Sequence, residues 1–385
     1  MRFDAKVSKY LLELLRCALN DTMPSEKPED VAWKNVFSMA KKHGVSALGF
    51  YAIKKLKNLP DSELMKKWED RNAKRLAQCV NQETEFSVLT ACFEEHEIPF
   101  LPLKGSVIRN LFPLPHLREM GDIDILVPAD KIQKACELAE SMDYKIVSTV
   151  SHHVALQKPP YMNLELHTGL IAPTYEYYEY YKDPWEKTYL QKDHFWYGMK
   201  NEDVYLYLLT HSAKHYYYSG TGIRSVIDIY LFNRAYRSSM DREYIARELK
   251  KLNLEAFAEQ MEALSEYWFS ERRCEASADV EEMQAYILAS ATYGTKDNRQ
   301  VNELRRYMRK GKSESGAKTA MLLHMVFLPC DEMQLMFPIL KKAPILLPFC
   351  WIARWVRILF TKPKSISTSY KKVHDIQLQN NQKDS

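Results

Sequence analysis

The stretch Gly121-Asp122-Ile123-Asp124-Ile125-Leu126-Val127 alternates acidic and branched apolar residues with a period of two. That is a strand's period, on which residues i and i+2 share a face. Ile123, Ile125 and Val127 then face a core, and Asp122 and Asp124 stand side by side on the other face. Adjacent carboxylates repel and raise each other's pKa unless a cation lies between them, and strands are poor in Asp. The chain must therefore supply a core for one face and positive charge for the other. Mg²⁺, a hard ion held by one or two carboxylates together with substrate phosphates, is a natural compensation. The plainer reading of the pair is a strand-end turn or cap.

Only residues 96–172 have this β texture. Ile98–Leu103, Gly121–Val127, Tyr144–Val150, His153–Lys158 and Tyr161–Leu170 read as strands, and Asp130–Asp143 as a helix. Helical spacing fills the remainder. It predicts helices at 5–20, at 28–43 between Pro28 and Gly44, at 46–57, and from the cap Asp61 to Glu95. Further helices are expected at 201–218, 223–236 and 242–252, and within 254–272, 279–293, 297–310, 315–328 and 331–360. The expected class is α+β: a small mixed sheet flanked by N-terminal and C-terminal helical regions. The expected domains are 1–95, 96–172 and 173–361, followed by a polar tail at 362–385 expected to be disordered.

The net charge is +4, and the tail's five Lys and two Asp account for three of these charges. The body is near neutral, so global charge makes no case for a nucleic-acid binder. Seven scattered Cys, an odd number without a CxxC, suit a reduced cytosolic protein. Asp4 and Glu13 interrupt the N-terminal apolar stretch, which argues against a signal peptide, so the expected location is cytoplasmic. Pro344, Pro348, Arg354 and Arg357 interrupt the most apolar window, 343–360, which is too broken to span a membrane. It reads as a packed C-terminal helix. Alternatively, 336–364 is a membrane-surface helix flanked by Lys341, Lys342, Lys362 and Lys364.

Two further features bracket the Asp pair. Leu103-Lys104-Gly105-Ser106 ends a strand and opens a short helix, a turn that suits an anion or is an ordinary turn. In Asn163-Leu164-Glu165-Leu166-His167, Glu165 and His167 share one face, either to complete a three-carboxylate site or as a solvated strand face. Downstream, His211 and His215 lie four apart with Lys214 beside them, for phosphate contact, for a metal, or as a plain surface helix. Arg224 suits a phosphate clamp, and Asp228, four residues on, is placed to pair with it. The aromatic run Tyr175–Tyr181 reads as an amphipathic cover over a cleft or core.

In this order the features resemble the DNA polymerase β-type nucleotidyltransferases: a Gly-Ser loop, an Asp-x-Asp strand, and a later strand with a third acid. The sequence is more closely similar to a bacterial subgroup of uncharacterised nucleotidyltransferases. The similarity lies in Leu103-Lys104-Gly105, Arg118, Asp122 to Val127, Glu165-Leu166-His167, His211 to His215, Arg224 and Asp228. It covers about 1–360 and is strongest over 98–230. Departures are a longer gap from Gly105 to Asp122, Arg109-Asn110 in place of a further Gly, and Glu as the third acid. The resemblance implies a Mg²⁺-dependent enzyme that moves a nucleoside monophosphate from an NTP, ATP among them, to a hydroxyl and releases pyrophosphate. Asp122, Asp124 and Glu165 would be catalytic and hold two Mg²⁺ (or Mn²⁺) ions. Lys104, Gly105, Ser106, Arg118, Lys214, His215 and Arg224 would bind nucleotide. The acceptor stays open among small molecules, proteins, RNA and glycan precursors. The other reading is a catalytically inactive relative that keeps the fold as a binding or scaffold protein.

Overall fold

Asp4 accepts hydrogen bonds from Lys6 N and Val7 N and so starts α1 (Ala5–Leu19), whose Leu11, Leu14, Leu15 and Ala18 are buried. The molecule is described by a computed structural model for residues 4–191, 194–272, 275–290, 302–304, 308 and 313–361. Helices α2 (Trp33–Lys42), α3 (Ser46–Ile53) and α4 (Ser62–Glu95) follow. Asp61 caps α4 through Leu64 N. Helix α2 begins later than the Pro28 signal suggests, because Val31 N–H closes a turn onto Pro28 O at 3.1 Å. Trp68 of α4 is fully buried against Trp33, Phe37 and Phe50. Its Nε1 donates to Ser46 O at 2.8 Å, which satisfies the buried indole N–H.

The β segment forms a five-stranded mixed sheet. Its strands are β1 (Leu101–Pro102), β2 (Ile123–Leu126), β3 (Lys145–Val150), β4 (His153–Lys158) and β5 (Met162–His167), in the order β1-β2-β5-β4-β3. Only β2 and β5 pair in parallel. Gly105–Ile108 forms the short α5, and α6 (Ile132–Ser141) lies between β2 and β3 in the chain. Ile123, Ile125, Val127, Leu164 and Leu166 join Phe93, Phe100, Ala135 and Ala139 in one core, the face the alternation assigned to them. β1 is shorter than expected. Phe100 instead exchanges backbone hydrogen bonds with Phe195 and Tyr197, next to a hairpin of β6 (Thr188–Leu190) and β7 (Tyr197–Met199). Strands of three residues are too short for a period to show in sequence.

Helices α7 (Asn201–Tyr218), α8 (Ile223–Tyr236), α9 (Arg242–Leu252), α10 (Glu255–Phe269) and α11 (Ala278–Ala289) follow. Tyr177 and Tyr181 of the aromatic run are buried, the latter against Tyr207 and Thr210 of α7. Of the described residues, those in 4–216 and 220–290 make one compact unit, and 217–219 with those in 302–361 make a second.

Within the second unit lie α12 (Glu314–Val326), α13 (Cys330–Met336) and α14 (Leu347–Thr361). Met333, Leu340 and Cys350 form its core. Pro338 and Pro344 each begin a short 3₁₀ turn, so 331–360 is not one helix. Trp351 and Trp355 donate to Leu328 O and Val326 O. Ile345, Phe349, Ile352 and Val356, spaced four, three and four apart, are exposed. Among the described residues, no helix is long and apolar enough to cross a membrane. The helix expected at 297–310 falls mostly outside the described residues, and the tail at 362–385 falls wholly outside them.

Candidate active site

The register of β2 on β5 sets Asp124 opposite Glu165 and Leu126 opposite His167. Since i and i+2 share a face, Asp122, Asp124, Glu165 and His167 all rise from the face opposite the core. Ligand atoms of Asp124, Glu165 and His167 lie within 4.8 Å of one another. His167 Nε2 sits 2.9 Å from Asp124 Oδ1 and 3.3 Å from Glu165 Oε2. Lys104 Nζ is 3.6 Å from Asp124 Oδ2. Lys104 lies at φ 36° with ψ −97°, a left-handed conformation that costs a non-glycine residue about 1–3 kcal/mol. The turn places its ammonium among the acids where, against burial, the charges of Asp124, Asp122 and Glu165 raise its pKa.

Charge sorts these groups. Burial and the neighbouring Asp124 and Glu165 carboxylates push the Asp122 pKa up. Burial opposes ionisation of Asp124 as well, but Lys104 and His167 overcome it and hold that carboxyl well below the usual range. The His167 hydrogen bond likewise lowers Glu165. Despite burial, hydrogen bonds to Asp124 and Glu165 raise the His167 pKa. Asp122 is thus the carboxylate with the least compensation, the position where added positive charge stabilises most.

Asp122, Asp124, Glu165, Lys104, Gly105, Arg118, Lys214, His215 and Arg224 line one cleft of about 250 Å³, together with His152, His153, His167 and His211. Burial and the Lys104 charge bring Lys214 down to about 8. Burial and Lys214 bring His215 to about 3. Lys214 Nζ lies 5.2 Å from the centre of the Tyr175 ring. Arg224 donates to Glu119 O and lowers the Asp122 pKa through its charge.

Three expectations change. Asp228 does not pair with Arg224. It takes a two-bond fork from Arg118, Nε to Oδ1 at 2.9 Å and Nη2 to Oδ2 at 2.7 Å, with both residues buried. A helix spacing of four permits a pair, but a planar guanidinium from the loop makes the better fit. Ser106 does not line this cleft. It lines a separate cavity of about 510 Å³ with Tyr189, Trp196 and Phe232, and its N–H is bonded to Leu103 O at 3.2 Å. Gly105 does line the cleft, where a Cβ would come within 2.7 Å of Arg118 Nη1 and of Met120 Cε. Crowding of Asp122 and Asp124 is also unequal, since Asp124 already has two cationic partners.

Sequence reasoning named no role for His152, His153 or Tyr207. An adjacent His-His opening a strand was the available signal for the first two. It also missed Glu119, which ties the loop before β2 to the helices: it accepts from Ser46 Oγ at 2.6 Å, Ala47 N at 3.0 Å and Arg71 Nη2 at 2.9 Å.

Asp122, Asp124 and Glu165, with Lys214, His215 and Arg224, thus line one cleft, which gathers the features of the nucleotidyltransferase resemblance. Comparison with known families agrees: the model of a family described as "Uncharacterised nucleotidyltransferase" matches residues 29–270. That is more than half of the chain, which belongs to this family. No curated protein and no solved structure matches it.

The Arg118–Asp228 fork gives a stability prediction. Arg118→Ala leaves a buried carboxylate unpaired and should cost about 3–5 kcal/mol in denaturant unfolding. The double variant Arg118→Met/Asp228→Leu should lose much less, because no charge is stranded.

Proposed function

We propose that this protein transfers a nucleoside monophosphate from an NTP to a hydroxyl, with Asp122, Asp124 and Glu165 as the catalytic carboxylates. The observation that carries this reading is the convergence of three carboxylates on one sheet face, across the cleft from Lys214, His215 and Arg224. Asp124 and Glu165, whose carboxylate oxygens lie within 4.8 Å of each other, and the poorly compensated Asp122 fit a hard divalent ion, which the three acids would hold. Two Mg²⁺ (or Mn²⁺) ions would neutralise charge on the attacking and leaving oxygens.

The chain's own groups do the rest. Lys214 and Arg224 draw the triphosphate into the cleft, Lys214 as a point charge and Arg224 with a planar fork. His215, neutral at physiological pH, donates one N–H to a phosphate oxygen. Glu165, more exposed than Asp124, takes the proton of the acceptor hydroxyl on its carboxylate. The hydroxyl oxygen bonds the α-phosphorus, and the bond to pyrophosphate breaks. Lys104 and His167 keep Asp124 ionised throughout. Arg118, locked to Asp228, backs Gly105 and fixes the turn that carries Lys104.

One observation favours the second reading, an inactive relative: Lys104 and His167 already engage both Asp124 oxygens, as in a self-compensated structural cluster. Pyrophosphate release separates the two. In the enzyme, Asp122→Ala and Asp124→Ala each cut release by orders of magnitude. Without metal, Asp122→Ala gains stability as repulsion is relieved, and Asp124→Ala loses it because Lys104 and His167 lose their partner. Full activity in either variant would refute the assignment.

The pH dependence follows from Lys214. Its ammonium is present below about 8 and lost above it. Calorimetric NTP affinity should therefore weaken as pH rises through 8, and this slope should vanish in Lys214→Arg. An unchanged slope in that variant would place the anion grip elsewhere.

We also propose that the second unit meets anionic lipid surfaces. The stripe Ile345, Phe349, Ile352 and Val356 is exposed, and residues 336–361 hold Lys341, Lys342, Arg354 and Arg357 with no acidic residue. Cosedimentation with phosphatidylserine vesicles should be strong at low salt and lost in Phe349→Asp/Ile352→Asp. Equal binding by that variant would exclude the stripe.

A further inference from the structure

The cleft holds a second group of potential ligands, of which the transfer reading uses only His167. His152 ends the turn between β3 and β4, His153 opens β4, and the β4–β5 register sets His153 directly opposite His167. The turn is held by the neighbouring backbone, with Thr168 N–H donating to His152 O at 2.9 Å. The three rings cluster, with centroids 4.7, 5.1 and 6.0 Å apart. One nitrogen from each can be chosen so that all three lie within 4.8 Å of one another.

Ordinary packing accounts poorly for this group. His153 Nδ1 faces His152 Nε2 at 3.4 Å, so one nitrogen must donate to another or both lone pairs collide. His152 Nδ1 and His167 Nδ1 are buried and have no hydrogen-bond partner. Each such atom costs roughly 1–3 kcal/mol. Of the seven buried side-chain atoms in this state among the described residues, two belong to this trio. The His167 side chain is 7% exposed, so water does not readily compensate it. Three imidazoles that each bring a nitrogen within 4.8 Å of the others are the donor set of a transition metal, not of magnesium.

We propose that His152, His153 and His167 bind a transition-metal ion of the zinc class, at the edge of the carboxylate site. Three imidazole ligands leave a fourth position for water or a substrate oxygen, as in catalytic zinc sites. Carboxylates lie near: His153 Nε2 is 3.9 Å from Glu165 Oε2, and His167 Nε2 contacts Asp124 and Glu165. The alternative occupant site for the same ion is therefore Asp124, Glu165 and His167, without His152 or His153. The trio shares His167 with the nucleotidyl-transfer reading, whereas His152 and His153 belong to the trio alone and Asp122 to the transfer reading alone.

The test uses the full chain, stripped with chelator and titrated with Zn²⁺ alone by calorimetry, with metal content measured after dialysis. One equivalent of Zn²⁺ should bind, and millimolar Mg²⁺ should not displace it. His152→Ala and His153→Ala should each weaken it roughly tenfold or more, whereas Asp122→Asn should leave it unchanged. Co²⁺ loading of the wild type gives a reading that needs no variant: intense visible bands of a four-coordinate nitrogen site are expected. Absence of a stoichiometric Zn²⁺ site, wild-type affinity in both His variants, or only the weak bands of six-coordinate Co²⁺ would overturn the proposal.

Discussion

A buried carboxylate must be compensated, and in this protein that requirement at Asp124 organises everything near it. Asp124 sits in the middle strand pair, 7% exposed, with Asp122 two residues away and Glu165 opposite in register. Three carboxylates on one face repel one another and stay ionised only with positive charge beside them. The chain brings Lys104 from a strained turn at one sheet edge and His167 from the partner strand. What remains uncompensated is Asp122, the position open to an incoming cation.

The supports of this cluster come from far along the chain. Arg118 and Asp228 join residues 110 positions apart, and their fork stands behind Gly105. Glu119, the next residue, is held by Ser46, Ala47, Arg71 and Arg75 of α3 and α4. Its backbone carbonyl accepts from Arg224 of α8. The loop before β2 is thereby fixed by helices on both sides of it in sequence, α3 and α4 before it and α8 after it.

Much of this was legible in the residues. Period two at 121–127 showed which side of β2 is core, and the apolar side is indeed buried with Phe93 and Phe100. Asp61 marked the start of α4. The Lys104-Gly105 turn, the Asp pair, Glu165 and the α7–α8 cations were separately visible, and the cleft gathers them. What sequence could not show was pairing. Spacing along a helix suggested Asp228 with Arg224, but partners in space, here Arg118, depend on loop paths that no period encodes. The direction of Ser106 follows from a turn at an unusual φ, and the β6–β7 hairpin is too short for any pattern. The histidine trio needs two registers at once, β4 on β5 and the turn from β3, and neither can be read from His152-His153 alone.

The central claim is that the α-phosphoryl group of an NTP leaves with its nucleoside. The most direct measurement supplies the protein, Mg²⁺ and cell extract with NTPs labelled at either the α- or the γ-phosphorus. Label that depends on added protein is expected on an acceptor from the α-position only, with γ-label released as pyrophosphate and both signals lost in Asp122→Ala. Label transferred from the γ-position, or transfer unchanged in that variant, would contradict it.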